Sequence, residues 1–481
     1  MNSPDAPPTA APKRGQVFTY EGFATDADRG LLTCRYSLDG REFAERVSLA
    51  PGPGWNSPAA QAAARLVYLL AGVSYYKTAA PPVIDLGDTA LTEREAAFLR
   101  EFYLSGLGEY AYRNSLDLSD LALNAAPAPA PAPTPAPPPA TAPAQDAPAP
   151  APAAEEREPR SSGTEHGALR PLVPFGGGID SIVTVEGVRQ RTPDVALFVV
   201  SRPGDRFAAI EEPAAVSGLP VIRAGREIDP QLLRSAELGF RNGHVPVTGI
   251  ISAIAVLAAT LNNRDAVVMS NEWSASVPTL EHAGRQVNHQ WSKSDAFERS
   301  FRELLNNNSV PMPDYFSALR DRTELWVGER FARLTQYHGA FRSCNRAFYI
   351  DTKKRLDHWC GECDKCCFID LILAPFMSAG QLRNVFAQAG EPLGKPALKP
   401  KFATLLGSGT KPFECVGEVN ECRAAVVLAA GRADRAGTAL LQELAAEITG
   451  RPDAPAPAEI EAMKHPVGVN FVPAAYTFAG E

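Results

Sequence analysis

From residue 168 onward, short apolar runs alternate with stretches of helical period, and this alternation dominates the chain. Runs of this length suit strands that are buried on both faces of a sheet. The runs lie at 172–175, 195–201, 219–224 and 266–270, and the helical stretches lie at 181–190, 207–217, 229–238 and 247–262. This order predicts an α/β fold with a doubly wound parallel sheet and right-handed crossover connections.

The N-terminal region follows a different pattern, in which apolar and polar residues alternate on both sides of Asp39-Gly40. Strict alternation across such a turn predicts a β-hairpin. Ser57-Pro58 is typical of a helix N-terminus, and Thr92 with Glu95 has the spacing of a capping box for a second helix. We therefore predict a small α+β domain over residues 16–122.

The rest of the chain is divided by composition. Residues 125–154 are almost entirely alanine and proline, which cannot bury enough apolar surface to offset the entropy of ordering. Beyond residue 274 the helical period predicts helices at 296–305, 314–334 and 423–448. The predicted organisation is a disordered N-terminus at 1–15, the α+β domain at 16–122, a Pro/Ala-rich linker at 123–167, a catalytic domain at 168–450 and a tail at 451–481. The C-terminal part of the catalytic domain is predicted to be helical and cysteine-rich. Residues 467–472 of the tail are predicted to dock as a strand.

Charge and apolar patterning argue against two classes of partner, nucleic acids and membranes. The net charge is −8 and only 21% of the residues are charged, so we expect no nucleic-acid partner. The longest apolar stretch, 245–261, contains threonine, glycine and serine and predicts a buried helix rather than a membrane span. Residues 1–16 lack the apolar core of a secretory signal, so we expect no membrane association and a cytoplasmic location. The sequence leaves the oligomeric state open.

Three consecutive glycines, Gly176, Gly177 and Gly178, separate the first apolar run from its helix, and Ile179-Asp180-Ser181 follows. Glycine lets the backbone approach a ligand, and amide groups at a helix N-terminus attract anions. The spacing matches neither the Walker loop nor the dinucleotide fingerprint. It resembles the PP-loop of the N-type ATP pyrophosphatases, Ser-Gly-Gly-x-Asp-Ser, with Gly176 in place of the first serine. An ordinary glycine-rich turn between a strand and a helix is the alternative.

Polar residues follow two further predicted strands. Ser201 ends one apolar run, and Ser270-Asn271-Glu272 ends another. In a parallel sheet these positions meet at the carboxyl edge, where such folds bind ligands. We therefore expect Ser201 to join the glycine loop in a nucleotide site, and Asn271 and Glu272 to contact Mg²⁺ or ribose. A structural cap is the alternative for the second group.

Two polar segments carry groups suited to acid–base chemistry. Asn288-His289-Gln290-Trp291-Ser292-Lys293 precedes a predicted helix start, as expected for a substrate clamp or a proton-transferring group. A solvated lysine in a capped loop is the alternative. Lys411-Pro412-Phe413-Glu414-Cys415 lies between glycines and is a second candidate for the lining of the site. We expect partial burial near a nucleotide to lower the pKa of Lys293.

Cys360, Cys363 and Cys366 recur at regular spacing, and Cys344 lies sixteen positions before Cys360. Four thiolates suit tetrahedral Zn²⁺ with bonds of about 2.3 Å, and a glycine after the first cysteine lets amide groups face sulfur. We therefore predict a structural zinc site at these four residues, with an iron–sulfur cluster or plain thiols as alternatives. Cys367 is adjacent and is left free for another use.

The chain as a whole resembles the UDP-N-acetylmuramoyl-L-alanyl-L-glutamate epimerases, an ATP-dependent family of peptidoglycan precursor synthesis. The resemblance covers roughly residues 16–122 and 168–450. It is carried by the segments LAGVSYYK at 70–77, GGGIDS at 176–181, SNE at 270–272, VNHQWSKS at 287–294, WCGECDKC at 359–366 and KPFECVGE at 411–418. A PP-loop with a Cys-Gly-x-Cys-x-x-Cys zinc site also occurs in 7-cyano-7-deazaguanine synthases, so the other segments carry the specificity.

The resemblance implies inversion of the terminal L-glutamate of UDP-MurNAc-L-Ala-L-Glu to D-glutamate. It implies that ATP is cleaved to AMP and diphosphate through an acyl-adenylate, on a catalytic domain of the PP-loop ATP pyrophosphatase type. A free carboxylate makes its α-proton hard to remove, because the enolate would carry a second negative charge on the same group. Adenylation removes that charge, and the site then needs a base, a proton donor and water.

On this interpretation the glycine loop and Ser181 hold the departing pyrophosphate, and Asp180 helps to position Mg²⁺. The acid–base candidates, in order, are Lys293 or His289, then Cys367 and Cys415. The groups assigned to substrate or Mg²⁺ are Asn271, Glu272, Asn288 and Lys411. The zinc ion is structural.

Two other functions fit the same features. An ATP-dependent amide or nitrile synthase related to 7-cyano-7-deazaguanine synthase would share the glycine loop and the cysteine site, although no glutaminase is evident in the sequence. A non-enzymatic nucleotide sensor or zinc scaffold would bind ATP without turning it over. Steady formation of AMP would exclude this last alternative.

Overall fold

A computed structural model describes residues 13–126, 169–409 and 411–478. Residues 1–12 of the predicted disordered N-terminus and most of the predicted Pro/Ala-rich linker lie outside these residues, whereas Arg14 pairs with Asp120, which corrects the prediction at that position. The strands, in chain order, are β1 (Val17–Asp26), β2 (Leu31–Leu38), β3 (Arg41–Ser48), β4 (Val83–Asp85), β5 (Ala122–Asn124), β6 (Pro171–Pro174), β7 (Ala196–Ser201), β8 (Val221–Glu227), β9 (Ala266–Met269), β10 (Leu280–His282), β11 (Arg285–Val287) and β12 (Asp314–Ser317).

The helices of the described residues connect these strands and form most of the C-terminal part. They are α1 (Pro58–Ala71), α2 (Val73–Tyr76), α3 (Glu93–Gly106), α4 (Gly108–Arg113), α5 (Ile179–Val188), α6 (Ala208–Ser217), α7 (Pro230–Leu233), α8 (Val247–Leu261), α9 (Asp295–Asn306), α10 (Glu324–Ala332), α11 (Asp364–Leu373), α12 (Ala379–Val385), α13 (Lys399–Leu405), α14 (Val419–Ala430), α15 (Ala439–Thr449) and α16 (Pro457–Ala462). None of them combines the length and apolarity that a membrane crossing needs.

Ten strands form one sheet in the order β12-β9-β6-β7-β8-β3-β2-β1-β4-β5, and β10 pairs only with β11. The strands from β12 to β8 are parallel, which confirms an α/β fold with a large and largely parallel sheet. β3 joins β8 in antiparallel register, with Val47 opposite Arg226. The N-terminal hairpin therefore extends the parallel sheet instead of forming a separate one. The division into domains at 16–122 and 168–450 stays a prediction.

The two faces of the sheet bury separate cores, as the alternation of side chains along a strand requires. On β6, Leu172 belongs to the first core and Val173 to the second. The first core contains residues of α8 together with those of the N-terminal helices, because α8 packs against α1. The second contains residues of α5, α10 and α11. This layering brings the carboxyl ends of the parallel strands between the N-terminal helices and the C-terminal helices.

Local capping signals predicted several helix starts correctly. The side chain of Ser57 accepts a hydrogen bond from the backbone of Ala60, and Thr92 and Glu95 form a complete capping box. Ser294 caps α9 in the same way. Such caps stabilise a helix by about 1 kcal/mol each and depend only on neighbouring residues.

Four predicted elements need correction. The helix predicted at 314–334 is a strand, β12, followed by α10, because Tyr315 and Phe316 are buried in different cores with the period of a strand. The helix predicted at 229–238 extends only over α7. The helix predicted at 423–448 is divided into α14 and α15. Residues 467–472 do not form a strand, although the amide of Val467 donates to the carbonyl oxygen of Asp321 at 2.8 Å.

Candidate active site

The glycine loop lies where the sequence predicts it, between the end of β6 and the first turn of α5. Gly177 has a φ of +76°, and a Cβ atom there would lie only 2.0 Å from the carbonyl oxygen of Ala209. Ser181 Oγ donates a hydrogen bond to the carbonyl oxygen of Gly178 at 3.0 Å. The first amide groups of α5 have no partner within the helix, so the loop has the form of an anion site.

Gly176 and Gly177 should differ in how they tolerate a side chain. Nothing lies within 4 Å of a Cβ atom added at position 176, so Gly176→Ser is expected to leave stability nearly unchanged. Gly177→Ala combines a left-handed backbone with a clash against another backbone, and should lower the free energy of unfolding by about 1–3 kcal/mol. Urea unfolding of both variants tests this, and equal stabilities would contradict the loop conformation.

Three carboxylates from distant parts of the chain converge near this loop. Asp180 lies in the first turn of α5, Glu272 follows β9, and Glu324 begins α10. One oxygen of each lies within 4.8 Å of the others, and Asp180 Oδ1 and Glu324 Oε2 are buried without a hydrogen-bond partner. Burial and then repulsion among the carboxylates raise the pKa of Asp180 to about 7 and that of Glu324 well above its usual value. A divalent cation would satisfy these oxygens, so the donor set fits Mg²⁺.

A buried ion pair positions two segments of the site. Arg320 and Glu298 are both buried, and Arg320 Nε lies 2.8 Å from Glu298 Oε2. Arg320 also donates to the carbonyl oxygen of Glu272 at 3.1 Å and to that of Lys293 at 2.6 Å. The guanidinium group therefore holds the end of β9 and the polar loop in a fixed relation.

Lys293 lies between the carboxylates and a thiol. Its Nζ atom is 3.2 Å from Cys415 Sγ and donates to Gln290 Oε1 at 3.2 Å. Burial lowers the pKa of Lys293, but the negative charges of Cys415, Glu272 and Asp180 outweigh it and raise the pKa above its ordinary value. The expected lowering of this pKa is therefore wrong, because charge pairing exceeds the effect of desolvation. Lys293 is a cation at neutral pH.

The same contacts activate Cys415. Burial raises the pKa of its thiol, but the positive charges of Lys293, His289 and Lys365 lower it to about 6. Lys365 also donates to the carbonyl oxygen of Cys415, which holds this segment against α11. Cys415 is partly exposed and is a thiolate at neutral pH, the form in which cysteine is nucleophilic.

Alkylation of Cys415 tests this charge balance. In the wild-type protein, iodoacetamide should modify Cys415 with a pH midpoint of about 6, because only the thiolate reacts. Lys293→Met removes the closest positive charge, so the midpoint should rise toward about 8.5, the ordinary value for a thiol. Lys401→Met is the control, because this lysine pairs with Asp364. Peptide mapping assigns the modified residue, and an unchanged midpoint in Lys293→Met would contradict the arrangement.

His289 connects the thiol to the N-terminal region. Its Nδ1 atom hydrogen-bonds Glu109 Oε2, and the negative charge of Cys415 also acts on the ring. Burial lowers the pKa of His289, but these two negative partners raise it to about 9. Burial lowers the pKa of the adjacent His244 to about 4. His244, His289 and Glu109 also lie within 4.8 Å of one another, but the direct bond between His289 and Glu109 places a proton rather than a metal ion between them.

The N-terminal helix α4 also supports the thiol-bearing segment. Glu109 Oε1 pairs with Arg113 Nε at 2.6 Å, and the Arg113 guanidinium lies 4.9 Å from the centre of the Phe413 ring. Phe413 is two residues from Cys415. One helix therefore orients His289 through Glu109 and packs against the segment that carries the thiol.

The four predicted cysteine ligands come together. Sulfur atoms of Cys344, Cys360, Cys363 and Cys366 lie within 4.8 Å of one another, with Cys366 at 3.6 Å from Cys360 and 3.4 Å from Cys363. Bonds of about 2.3 Å to a tetrahedral ion require sulfur separations of about 3.8 Å, so the donor set fits a single Zn²⁺. The amides of Cys360 and Cys363 point at sulfur atoms of Cys344 and Cys360, at 3.4 and 3.3 Å. Gly361, with a φ of +64°, permits this turn.

The first cysteine of this cluster follows a loop that touches the glycine loop. The amide of Arg342 donates to the carbonyl oxygen of Gly177 at 3.4 Å, and a Cβ atom added at Gly178 would lie 2.7 Å from Ser343 Oγ. Arg342 Nη2 pairs with Glu212 at 2.6 Å, whereas Nη1 is buried without a hydrogen-bond partner. Arg342, which the sequence did not single out, is therefore a candidate donor to a phosphate in the loop.

Other predicted site residues have mainly structural contacts. Ser201 Oγ donates to the backbone of the turn that follows β7, at 3.1 Å. The side chain of Asn288 donates to the backbone of a neighbouring turn at 2.8 Å. The backbone of Asn271 both accepts from and donates to Ser317 Oγ, at 2.7 Å each. These bonds fix the backbone of Asn271, so contact of its side chain with Mg²⁺ or ribose stays a prediction, while Glu272 joins the carboxylate cluster.

Two predicted residues interact with groups other than Cys415 and the carboxylate cluster. Cys367 is buried in the second core, and burial raises the pKa of its thiol to about 12. Its charged neighbours include Lys401 rather than Lys293, and this placement argues against catalysis by Cys367. Lys411 is half-buried, and its charge acts on Cys422.

Sequence reasoning missed Glu324, Glu109 and Lys365. A local signal for Glu324 existed, because Thr323 caps α10 and accepts a hydrogen bond from the backbone of Trp326. The helix predicted across 314–334 obscured this cap. Glu109 and Lys365 have no local signal and are found only through their contacts with His289 and Cys415.

Comparisons with known proteins cover nearly the whole chain. The family model of the MurL N-terminal domain matches residues 9–318, and that of the MurL C-terminal domain matches residues 340–459. A protein of Xanthomonas oryzae pv. oryzae named UDP-N-acetyl-alpha-D-muramoyl-L-alanyl-L-glutamate epimerase is 36% identical over 477 residues, with 95% of each chain covered. Proteins of the same name from Salinispora tropica and a Micromonospora species are 38% and 36% identical, covering 86% and 87% of this chain and 85% and 88% of their own.

Proposed function

The chain belongs to the family of UDP-N-acetyl-alpha-D-muramoyl-L-alanyl-L-glutamate epimerases, and from this premise we propose how its site performs the reaction. The substrate is UDP-MurNAc-L-Ala-L-Glu, and the reaction inverts its terminal L-glutamate to D-glutamate in peptidoglycan precursor synthesis. The relatives' shared name and the match of both domain models favour this function over an amide or nitrile synthase.

The proposed first step is ATP-dependent activation of the glutamate carboxylate, with AMP and diphosphate as the products of ATP. The observation that carries it is the convergence of two unpartnered buried carboxylate oxygens, from Asp180 and Glu324, next to the glycine loop at a helix N-terminus. Asp180, Glu272 and Glu324 would hold Mg²⁺, which neutralises phosphate charge when bound. The loop amides and Ser181 would hold the pyrophosphate. A fold of the PP-loop ATP pyrophosphatase type belongs to the same proposal.

Lys293 is assigned to charge stabilisation rather than to proton removal. A protonated lysine cannot accept the α-proton, but it can stabilise negative charge on the activated carboxyl group or on the departing phosphate. His289 and Cys415 are the groups left for proton transfer, because their protons are exchangeable near neutral pH and the charge of each acts on the other. His289 thus stays a catalytic candidate, and Lys293 becomes an electrostatic one.

Zn²⁺ at the four-cysteine cluster is proposed to be structural. All four sulfur atoms would be occupied by the ion, which leaves no open position for substrate. The sulfur separations of 3.4 and 3.6 Å favour one ion over an iron–sulfur cluster, whose thiolates bind different iron atoms. A cytoplasmic location, which would give access to the UDP-linked substrate, stays a prediction.

Incubation with UDP-MurNAc-L-Ala-L-Glu, ATP and Mg²⁺ in D₂O tests the proposal. We expect D-glutamate in the hydrolysed product, deuterium at its α-carbon, and AMP and diphosphate formed only when the dipeptide substrate is present. Release of ADP and phosphate would contradict the proposed cleavage of ATP. Deuterium uptake without ATP would contradict activation of the carboxylate, and product containing only L-glutamate would contradict epimerisation.

A further inference from the structure

Cys415 has surroundings unlike those of the other seven cysteines. Four of these lie in the metal cluster. Cys34, Cys367 and Cys422 are fully buried in the two cores, where burial raises the pKa of each thiol. Cys415 is partly exposed and lies 3.2 Å from the Lys293 ammonium, next to the carboxylate cluster. It is therefore placed for reaction with a bound substrate, and the buried thiols are not.

Cys415, His289 and Glu109 are arranged as a nucleophile, a base and an acid that orients the base. His289 hydrogen-bonds Glu109, and its ring centre lies 6.3 Å from that of Phe413, two residues before Cys415, so the negative charge of the thiolate acts on the imidazole. Glu109 is buried and held by Arg113, so it fixes the orientation of the imidazole ring. This order recurs in enzymes that form acyl intermediates on cysteine or serine, and is recognised by geometry rather than by sequence.

A second observation points to a ligand at the same place. Glu324 is 2% exposed, and its Oε2 atom lacks a hydrogen-bond partner. The charges that act on Asp180 and Glu324 include those of Lys365, and for Asp180 also those of Lys293 and Cys415. A nucleotide and metal ion bound to these oxygens would therefore place its activated acyl group within the reach of the thiol.

We propose that Cys415 takes the glutamyl acyl group from the adenylate, so that epimerisation occurs on a thioester covalently attached to the enzyme. The inference rests on the proposed function, which supplies the acyl-adenylate from ATP and substrate. It adds a covalent intermediate and assigns Cys415 as a catalytic nucleophile rather than as a base.

The proposed steps balance without a further reactant. The Cys415 thiolate attacks the carbonyl carbon, the carbon–sulfur bond forms, and the carbon–oxygen bond to AMP breaks with its electron pair on the AMP phosphate. His289 gives its proton to that phosphate, and Lys293 stabilises the developing charge. In epimerisation, neutral His289 removes the α-proton and loses it to solvent, and a proton from water adds to the opposite face of the enolate. A further water molecule then adds to the carbonyl carbon, its proton goes to His289, and the thiolate leaves. The resulting carboxylic acid loses its proton to solvent, which restores the thiolate and imidazolium.

A thioester explains why a charged thiol lies beside the nucleotide site. The α-hydrogen of a thioester is far more acidic than that of a carboxylate, because the enolate does not share its group with an existing negative charge. Acyl transfer to Cys415 also removes the thiolate charge that helps to hold the proton on His289. His289, which has given its proton to the AMP phosphate, is then neutral and can act as a base near the bound acyl group.

Isotope exchange separates a thioester from direct hydrolysis of the adenylate. With substrate, ATP and diphosphate present, wild-type protein should transfer radiolabel from diphosphate into ATP and also from AMP into ATP, because the thioester step is reversible. Cys415→Ala should keep the diphosphate exchange and lose the AMP exchange, and its epimerisation should fall by about 10³-fold or more. Cys34→Ala, in the first core, is the matched control and should keep both exchanges.

Acid-quenched wild-type samples provide the second measurement. After denaturing gel filtration, peptide mapping should find the acyl group on Cys415, and hydroxylamine should release it. Diphosphate exchange with neither AMP exchange nor an adduct would overturn the thioester and leave the proposed function intact. AMP exchange that persists in Cys415→Ala, or loss of diphosphate exchange in that variant, would also overturn it. Failure of the wild type to form AMP or exchange diphosphate would instead refute the proposed function.

Discussion

Glu324→Gln is expected to slow the release of diphosphate from ATP by about 10³-fold or more while the protein stays folded. The glutamine keeps the size of the side chain but removes one of three negative ligands. Glu329→Gln is the matched control, because Glu329 lies on the same helix and pairs with Arg333 at 2.5 Å on the surface. The control should keep wild-type diphosphate release.

Thermal unfolding shows whether the loss in Glu324→Gln arises from metal binding. Saturating Mg²⁺ should stabilise the wild-type protein and the Glu329→Gln control, by about 2.7 kcal/mol at a hundredfold excess over the dissociation constant. Glu324→Gln should lose this stabilisation and should be no less stable than wild type without Mg²⁺, because the substitution removes repulsion with Asp180. A full Mg²⁺ effect in Glu324→Gln would refute the assigned metal site.

The pH dependence follows from the same carboxylates. Asp180 has a folded-state pKa of about 7 against 3.8 for a free side chain. The folded state therefore holds a proton that the unfolded state has already lost, and stability without metal should fall as the pH rises from 3.8 to about 7. Mg²⁺ competes with this proton for Asp180, so the stabilisation by Mg²⁺ should be largest above a pH of about 7.

Cys366→Ser should remove the bound zinc and lower the free energy of unfolding by several kcal/mol. A structural site exists only in the folded state, so zinc binding stabilises that state. Elemental analysis of the wild-type protein should give one zinc per chain, and that of the variant close to none. Cys34→Ala is the control, since this buried cysteine lies in the first core and should not change the metal content. Urea unfolding with and without a chelator measures the stability.

Two outcomes would contradict the zinc assignment. Visible absorption from iron would indicate a cluster, and a metal-free wild-type protein of unchanged stability would indicate plain thiols. Loss of zinc should also weaken ATP binding, because Arg342 and Ser343 precede the ligand Cys344 and contact the glycine loop. ATP affinity of the folded fraction of Cys366→Ser measures this second effect.

The sequence by itself determined features whose cause lies within a few residues. The glycine-rich turn between β6 and α5 and the caps at Ser57 and Thr92 depend on local geometry, so spacing alone predicted them. The cysteine cluster was predictable because three of its four ligands lie within seven consecutive residues. The parallel strands were predictable from their apolar runs, since a strand buried on both faces has no polar side.

Only the tertiary structure decided the chemistry of the site. Glu324 lies 144 positions after Asp180, and Glu109 lies 180 positions before His289, so no local pattern could pair them. The sequence also could not give the direction of the pKa shift of Lys293, because burial and nearby negative charges act in opposite directions. Their balance depends on how the strand ends, the helix α4 and the segment of Cys415 meet in space. The charge state of a buried group is set by its neighbours in the fold, whatever their distance along the chain.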